Sequence, residues 1–175
     1  MDRLWAPWRI KYILGGKPKG CIFCDKIAEN RDKENLILYR AKKCFVIMNL
    51  YPYNSGHLMV VPNKHCEGID ELSGGDLLEV MKVTQKMIRV FEAAMRPQGY
   101  NIGINLGQVA GAGIHDHLHV HIVPRWLGDT NFMPVASDSK TINEDIARTY
   151  DKLAGAIRED TAKGQDRRGQ SRGKG

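Results

Sequence analysis

The run His117-Leu118-His119-Val120-His121-Ile122-Val123 alternates strictly between imidazole and aliphatic side chains, and this pattern narrows the available folds more than any other. Side chains on a β-strand point to opposite faces with a period of two. The alternation therefore predicts a half-buried strand over 117–123, with Leu118, Val120 and Ile122 facing a core and three imidazoles sharing the other face. Three of the chain's six histidines stand in these seven residues, which is more than an ordinary polar face supplies. Same-face neighbours on a strand lie about 6.5–7 Å apart, so the outer two rings, roughly 13 Å apart, do not easily share one metal ion. Such a row suits a phosphate better, with the middle ring, His119, as nucleophile. His115 has the same parity and extends the row if the strand begins that early, while Asp116 adds a polar group beside it.

The rest of the chain supplies a domain to carry this strand. Residues 36–40 and 44–49 are rich in β-branched and aromatic side chains around a polar break, as in a hairpin. Turn chemistry at 51–56 leads into a third strand over 57–61, closed by Pro62. Ser73 and Asp76 form a capping-box pattern. Behind them Leu77, Met81, Thr84, Ile88, Phe91 and Met95 recur at spacings of three and four, an amphipathic helix that stops before Pro97. A strand over 101–106 is followed by the glycine-rich loop 107–113, then the histidine strand. Ile142, Ile146, Tyr150, Leu153 and Ile157 fit a last helix. The order β-β-β-α-β-β-α predicts an α+β domain, an antiparallel sheet with helices mainly on one side.

At 175 residues the chain suits one domain. Residues 1–20 read as an aromatic, basic lead-in packed on a domain over 21–162. The net charge is +6, but Lys163, Arg167, Arg168, Arg172 and Lys174 concentrate it in 163–175, a basic tail expected to be disordered. The near-neutral remainder argues against a nucleic-acid binder, leaving the tail with at most a weak electrostatic role. No apolar run is long enough for a bilayer, and the N-terminus lacks the apolar core of a signal peptide, so the expected compartment is the cytoplasm. Cys21 and Cys24 are spaced C-x-x-C, which suits two thiolates on zinc; His65 and His117 are candidates to complete the set, with Cys66 as a substitute for His65. Reduced, partly buried thiols are the alternative. Cys44 reads as a core residue. Trp126 and Phe132 follow the active strand as stacking or interface aromatics.

The histidine run matches the pattern of the histidine triad family, His-φ-His-φ-His-φ-φ with φ apolar. The segment Asn49-Leu-Tyr-Pro-Tyr-Asn-Ser-Gly-His57-Leu-Met-Val-Val-Pro62 resembles that family's upstream strand. The segments Leu4-Trp-Ala-Pro-Trp-Arg9, Cys21-Ile-Phe-Cys24 and Pro124-Arg-Trp-Leu-Gly-Asp-Thr-Asn-Phe132 resemble its branch of diadenosine-tetraphosphate phosphorylases and hydrolases. The resemblance covers residues 4–158. It implies a purine nucleotide or dinucleoside polyphosphate as substrate, a covalent nucleotidyl-His119 intermediate, and water or inorganic phosphate as acceptor; the alternatives are a purine-nucleotide-binding module with little turnover and a nucleoside phosphoramidase. His121 would serve the phosphate or leaving oxygen and His57 would orient the nucleophile, with the His117 carbonyl holding its second nitrogen. Asn49, Asn105, Gly107 and Gly113 would join His57, His119 and His121 around ribose and phosphates. It also implies a structural zinc on Cys21, Cys24, His65 and His117, no organic cofactor, and a homodimer. One departure stands out: many members carry Ala-Gly-Gln-Ser before the triad, whereas Gly113 and Ile114 replace the Gln and Ser here.

Overall fold

The structure is a computed structural model that describes residues 20–130, 142 and 144–172. A short helix, α1 (Ile22–Ala28), precedes strands β1 (Ile37–Arg40), β2 (Cys44–Met48) and β3 (Leu58–Pro62). Helix α2 (Gly74–Ala94) follows, then β4 (Gly99–Gly103), β5 (Val120–Arg125) and helix α3 (Ile146–Arg172). The five strands form one sheet in the order β1-β2-β3-β5-β4, and every neighbouring pair is antiparallel. This is the expected α+β architecture.

Residue parity divides the sheet into two faces. Cys44, Val46 and Met48 of β2, Leu58 and Val60 of β3, and Val120 and Ile122 of β5 face one way, where Val80, Val83, Met87, Val90 and Phe91 of α2 and Tyr150, Leu153 and Ile157 of α3 complete the main core. Cys44 is thus the core residue it was expected to be. On the other face Phe45, Ile47, Met59 and Val61 pack with Ile37 and with Phe23 of α1. The two long helices therefore share one side, and among the described residues only α1 lies across the sheet from them. Burial of both faces makes β2 and β3 apolar at every position, the composition expected of strands covered on both sides.

Local signals decide the boundaries. The Ser73 hydroxyl accepts from the Asp76 backbone N–H, and the Asp76 carboxylate accepts in return from Ser73 N–H, so the capping box starts α2 as expected. The histidine strand differs from its expected extent: β5 begins at Val120 and runs through Pro124 to Arg125. His117–His119 lie just before the ladder, and Leu118 N–H donates to the Cys66 carbonyl instead. β4 begins earlier than expected, because Gly99 opposite Arg125 starts its pairing. Helix α1 has no counterpart in the sequence reading. The basic stretch after residue 162, expected as a disordered tail, carries α3 on to Arg172. Extending an existing helix costs little, Lys, Gln and Arg are good helix formers, and cations suit a helix C-terminus. Among the described residues no helix is long and apolar enough to cross a membrane. Phe132 and the segment 4–9 lie outside the described residues.

Candidate active site and metal centre

His121 of β5, His117 and His119 just before that strand, and His57 just before β3 gather in one cluster, all buried, with His57 fully so. Their hydrogen bonds fix which nitrogen of each ring carries the proton. Tyr53 N–H donates to His57 Nδ1 at 3.1 Å, and Asn49 Nδ2 lies 3.3 Å from the same atom. His57 Nδ1 is therefore an acceptor and Nε2 bears the hydrogen. Nε2 lies 2.9 Å from His121 Nδ1, so His121 accepts there and its own Nε2–H remains available as a donor. His119 Nδ1 donates to the His117 carbonyl at 2.9 Å, which leaves His119 Nε2 with a free lone pair. His117 Nε2 donates to the Pro62 carbonyl, also at 2.9 Å, leaving its Nδ1 unprotonated.

Burial also holds these rings neutral. Desolvation, with His121 and His119 as potential like charges, pushes His57 down to about 3. Desolvation and His119 push His121 down to about 4. Burial lowers His119 and His117 as well, each opposed by its hydrogen bond to a backbone carbonyl. A neutral imidazole with one lone pair free is a nucleophile near neutral pH, and a neighbouring N–H is a proton donor.

The site is framed by aromatic rings and one polar clamp. Phe23 of α1 lies 5.3 Å from the His119 ring and 5.4 Å from the His117 ring. His121 meets His119 edge-on at 4.7 Å. On the far side Tyr53 lies 4.7 Å from His57. Next to it, buried Asn54 donates to the Pro124 carbonyl at 3.0 Å and to Asp129 Oδ2 at 2.8 Å. Asp129 also takes Arg125 Nε at 2.7 Å and the Trp126 backbone N–H at 3.0 Å. The β2–β3 loop is thereby tied to the end of β5. Sequence reasoning treated 51–56 only as a turn and missed Tyr53, Asn54 and Asp129. Nothing in spacing marks them, because they meet only through strand pairing.

The other candidates are placed less centrally. Asn49 Oδ1 accepts from Tyr51 N–H at 2.9 Å, so this side chain braces the loop while its amide faces His57. Gly103 pairs with His121, which carries β4 to the site, and Asn105 and Gly107 follow directly. Gly107 has φ +79°, a conformation that favours glycine. A Cβ at Gly107 or Gly113 would meet nothing within 4 Å. His115 is exposed and outside the ladder, so it does not extend the histidine row. Ile114 packs instead against the apolar cluster around Phe23 and Phe45.

Cys21, Cys24, His65 and His117 converge at the other end of the row, their four donor atoms all within 4.8 Å of one another. His117 Nδ1 lies 3.2 Å from Cys21 Sγ, 3.6 Å from Cys24 Sγ and 3.3 Å from His65 Nδ1, and Cys24 Sγ lies 3.4 Å from His65 Nδ1. Tetrahedral zinc with ordinary bond lengths places N–N and N–S edges at about 3.3–3.6 Å. The chemistry of the donor set fits a cation as well. The Pro62 bond turns the His117 lone pair into this cluster, and burial with Cys21 pushes the Cys24 thiol up to about 11; a bound metal makes ligands of such groups. Cys66 is buried with Leu72 and Leu118, apart from the cluster.

Comparison with known proteins agrees with this arrangement. The HIT domain family matches residues 30–126. An AP-4-A phosphorylase of Mycobacterium tuberculosis is 40% identical over 162 residues, covering 88% of this chain and 83% of the relative. An asymmetrical bis(5'-nucleosyl)-tetraphosphatase of Schizosaccharomyces pombe is 32% identical over 93 residues, 53% of this chain and 50% of the relative. A zinc-bound histidine triad family protein of Mycobacterium smegmatis superposes with a TM-score of 0.66 at 25% identity, covering 82% of this chain and 97% of that one. The sheet, the four gathered histidines and these matches together place the chain in the histidine triad family.

Proposed function

We propose that this chain cleaves dinucleoside polyphosphates, diadenosine tetraphosphate in particular, through a nucleotidyl-His119 intermediate. The observation that carries the reading is the His119 Nδ1 bond to the His117 carbonyl, which leaves Nε2 as the free nucleophile beside the His121 donor. In the first step His119 Nε2 attacks an α-phosphorus and the bond to the bridging oxygen breaks. ATP leaves from diadenosine tetraphosphate as its anion, its new terminal oxygen accepting a hydrogen bond from His121 Nε2–H. In the second step inorganic phosphate attacks the AMP-histidine, the N–P bond breaks, and ADP forms; water in that place gives AMP. Asn49, His57 and the loop around Asn105, Gly107 and Gly113 position ribose and phosphates, since phosphoryl transfer asks mainly for positioning and charge stabilisation. The phosphorylase relative at 40% identity favours phosphate as acceptor.

The cation of the Cys21, Cys24, His65 and His117 centre is zinc in this reading, supported by the donor set and by the zinc-bound relative. When bound it supplies tertiary stability by tying α1 and the β3–α2 loop to the histidine strand. A reducing compartment such as the cytoplasm keeps such thiols available as ligands. The exposed residues Asn101, Ile102 and Gly103 of edge strand β4 support the homodimer expected from the family resemblance.

The test is a trapping experiment. Diadenosine tetraphosphate labelled at the α-phosphate is mixed with the protein, quenched, and the protein fraction analysed for an acid-labile, alkali-stable adduct. Wild type should carry label and the His119→Ala variant none, with ADP as product when phosphate is present. Turnover without a protein adduct, or an adduct that persists in His119→Ala, overturns the mechanism.

A further inference from the structure

Tyr53 is the exposed aromatic ring that the fold holds against the histidine cluster. It is 52% exposed, yet its ring lies 4.7 Å from His57 and 5.9 Å from His121, tilted 36° to both. Its backbone is fixed on either side. Tyr53 N–H donates to His57 Nδ1, His57 N–H donates to the Asn54 carbonyl at 3.1 Å, and the Asn54 side chain is clamped to Pro124 and Asp129. One side of the ring lies against imidazole while half the residue stays open to solvent. A rigid, half-exposed aromatic platform of this kind binds a flat partner with little loss of conformational freedom.

Its position defines which part of a substrate can reach it. His119 lies between Phe23, buried on the His117 side, and His121 on the other. In an in-line displacement the leaving oxygen departs on the side away from the attacking nitrogen and accepts a hydrogen bond from His121 Nε2–H. What is attached to that oxygen therefore extends past His121, whose remaining aromatic neighbours among the described residues are His57 and Tyr53. We propose that Tyr53 is a specificity-determining residue that stacks on the base of the departing nucleotide, so that the site prefers a leaving group carrying a second nucleoside. The proposal rests on the reading of His121 as leaving-group donor. It adds a contact to the half of the substrate that the covalent step releases.

Binding separates this contact from chemistry. Affinities for diadenosine tetraphosphate and for adenosine 5'-tetraphosphate, which differ by one nucleoside, are measured in the non-turnover His119→Ala background. The same pair is then measured with Tyr53→Phe and Tyr53→Leu added; Leu retains apolar packing against His57 but has no π face. The parent should bind the dinucleotide more tightly, Tyr53→Phe should keep that preference, and Tyr53→Leu should reduce it by about tenfold or more. Equal affinity for the two nucleotides in the parent, or an equal loss of both in Tyr53→Leu, overturns the proposal. Failure of wild type to turn over the dinucleotide would overturn the catalytic reading instead, and is measured separately.

Discussion

The two ends of the histidine row use the same residue type for different chemistry. At one end the His117 ring is held through Nε2, so that Nδ1 faces two sulfurs and a second imidazole. At the other end His121 is held through Nδ1 by His57, so that Nε2–H is left as a donor. His119, between them, is held through Nδ1 by a carbonyl and keeps a lone pair on Nε2. All three occupy the same face and all three are buried. Their difference lies in which nitrogen a neighbour has already taken, and whether that neighbour accepts or donates. In the function proposed, one end is a ligand, the middle a nucleophile and the other end a hydrogen-bond donor to the leaving oxygen.

The comparison breaks if the two ends prove interchangeable, and the largest expected effect tests the middle. His119→Ala should lower kcat/KM for diadenosine tetraphosphate by about a thousandfold or more, since no other ring presents a free lone pair to the phosphate. Loss of the metal end should act mainly on the fold. Cys24→Ser, or treatment with a strong chelator, should lower unfolding stability by about 3 kcal/mol or more. Turnover measured where the protein is still folded should fall far less than in His119→Ala. If chelation leaves the denaturant midpoint unchanged, or abolishes turnover as fully as His119→Ala, the division is wrong.

The relay end should show the opposite signature. His57→Gln should lower kcat by about 10–100-fold, as outer-sphere partners commonly do, with KM and bound zinc close to wild type by elemental analysis. Stability against pH sharpens the same point. His57 and His121 titrate near 6.5 when unfolded but are pushed to about 3 and about 4 in the fold. The unfolded chain therefore binds more protons between those values. Their contribution is complete above about pH 6.5 and is lost as pH falls toward 3–4, by up to about 1.4 kcal/mol per pH unit for each ring. Urea titrations should show His57→Gln with a shallower acid slope than wild type, and parallel slopes would refute the relay geometry. The smallest effect lies away from both ends: Ser73→Ala removes the α2 cap and should cost about 1 kcal/mol without changing kcat.

Much of this arrangement was legible in the sequence because period-two patterns translate directly into faces. The alternation at 117–123 sorted imidazoles from core residues correctly, even though the ladder itself starts only at Val120. The Cys21–Cys24 spacing and the Ser73–Asp76 box were equally direct. Helix α1 was not read because it is only seven residues long and its buried ring, Phe23, gains meaning from the opposite sheet face. Tyr53 and Asn54 sit in a loop; Asn54 depends on partners 70 and 75 positions away along the chain, and Tyr53 gains its place from the distant His121 ring. Which nitrogen of each ring is free was also beyond the sequence, because the Pro62 and His117 carbonyls that decide it are main-chain atoms.

That last detail bears on how such a site can change. A carbonyl oxygen has no codon of its own. The group that sets the protonation of His119 survives any side-chain replacement at position 117 that leaves the backbone path intact. The ring at 117 is thus free to be recruited to a metal, or released from one, without directly erasing the nucleophile two residues on. Metal dependence and chemistry become traits that redesign can vary separately, with Cys21, Cys24 and His65 as the first places to try.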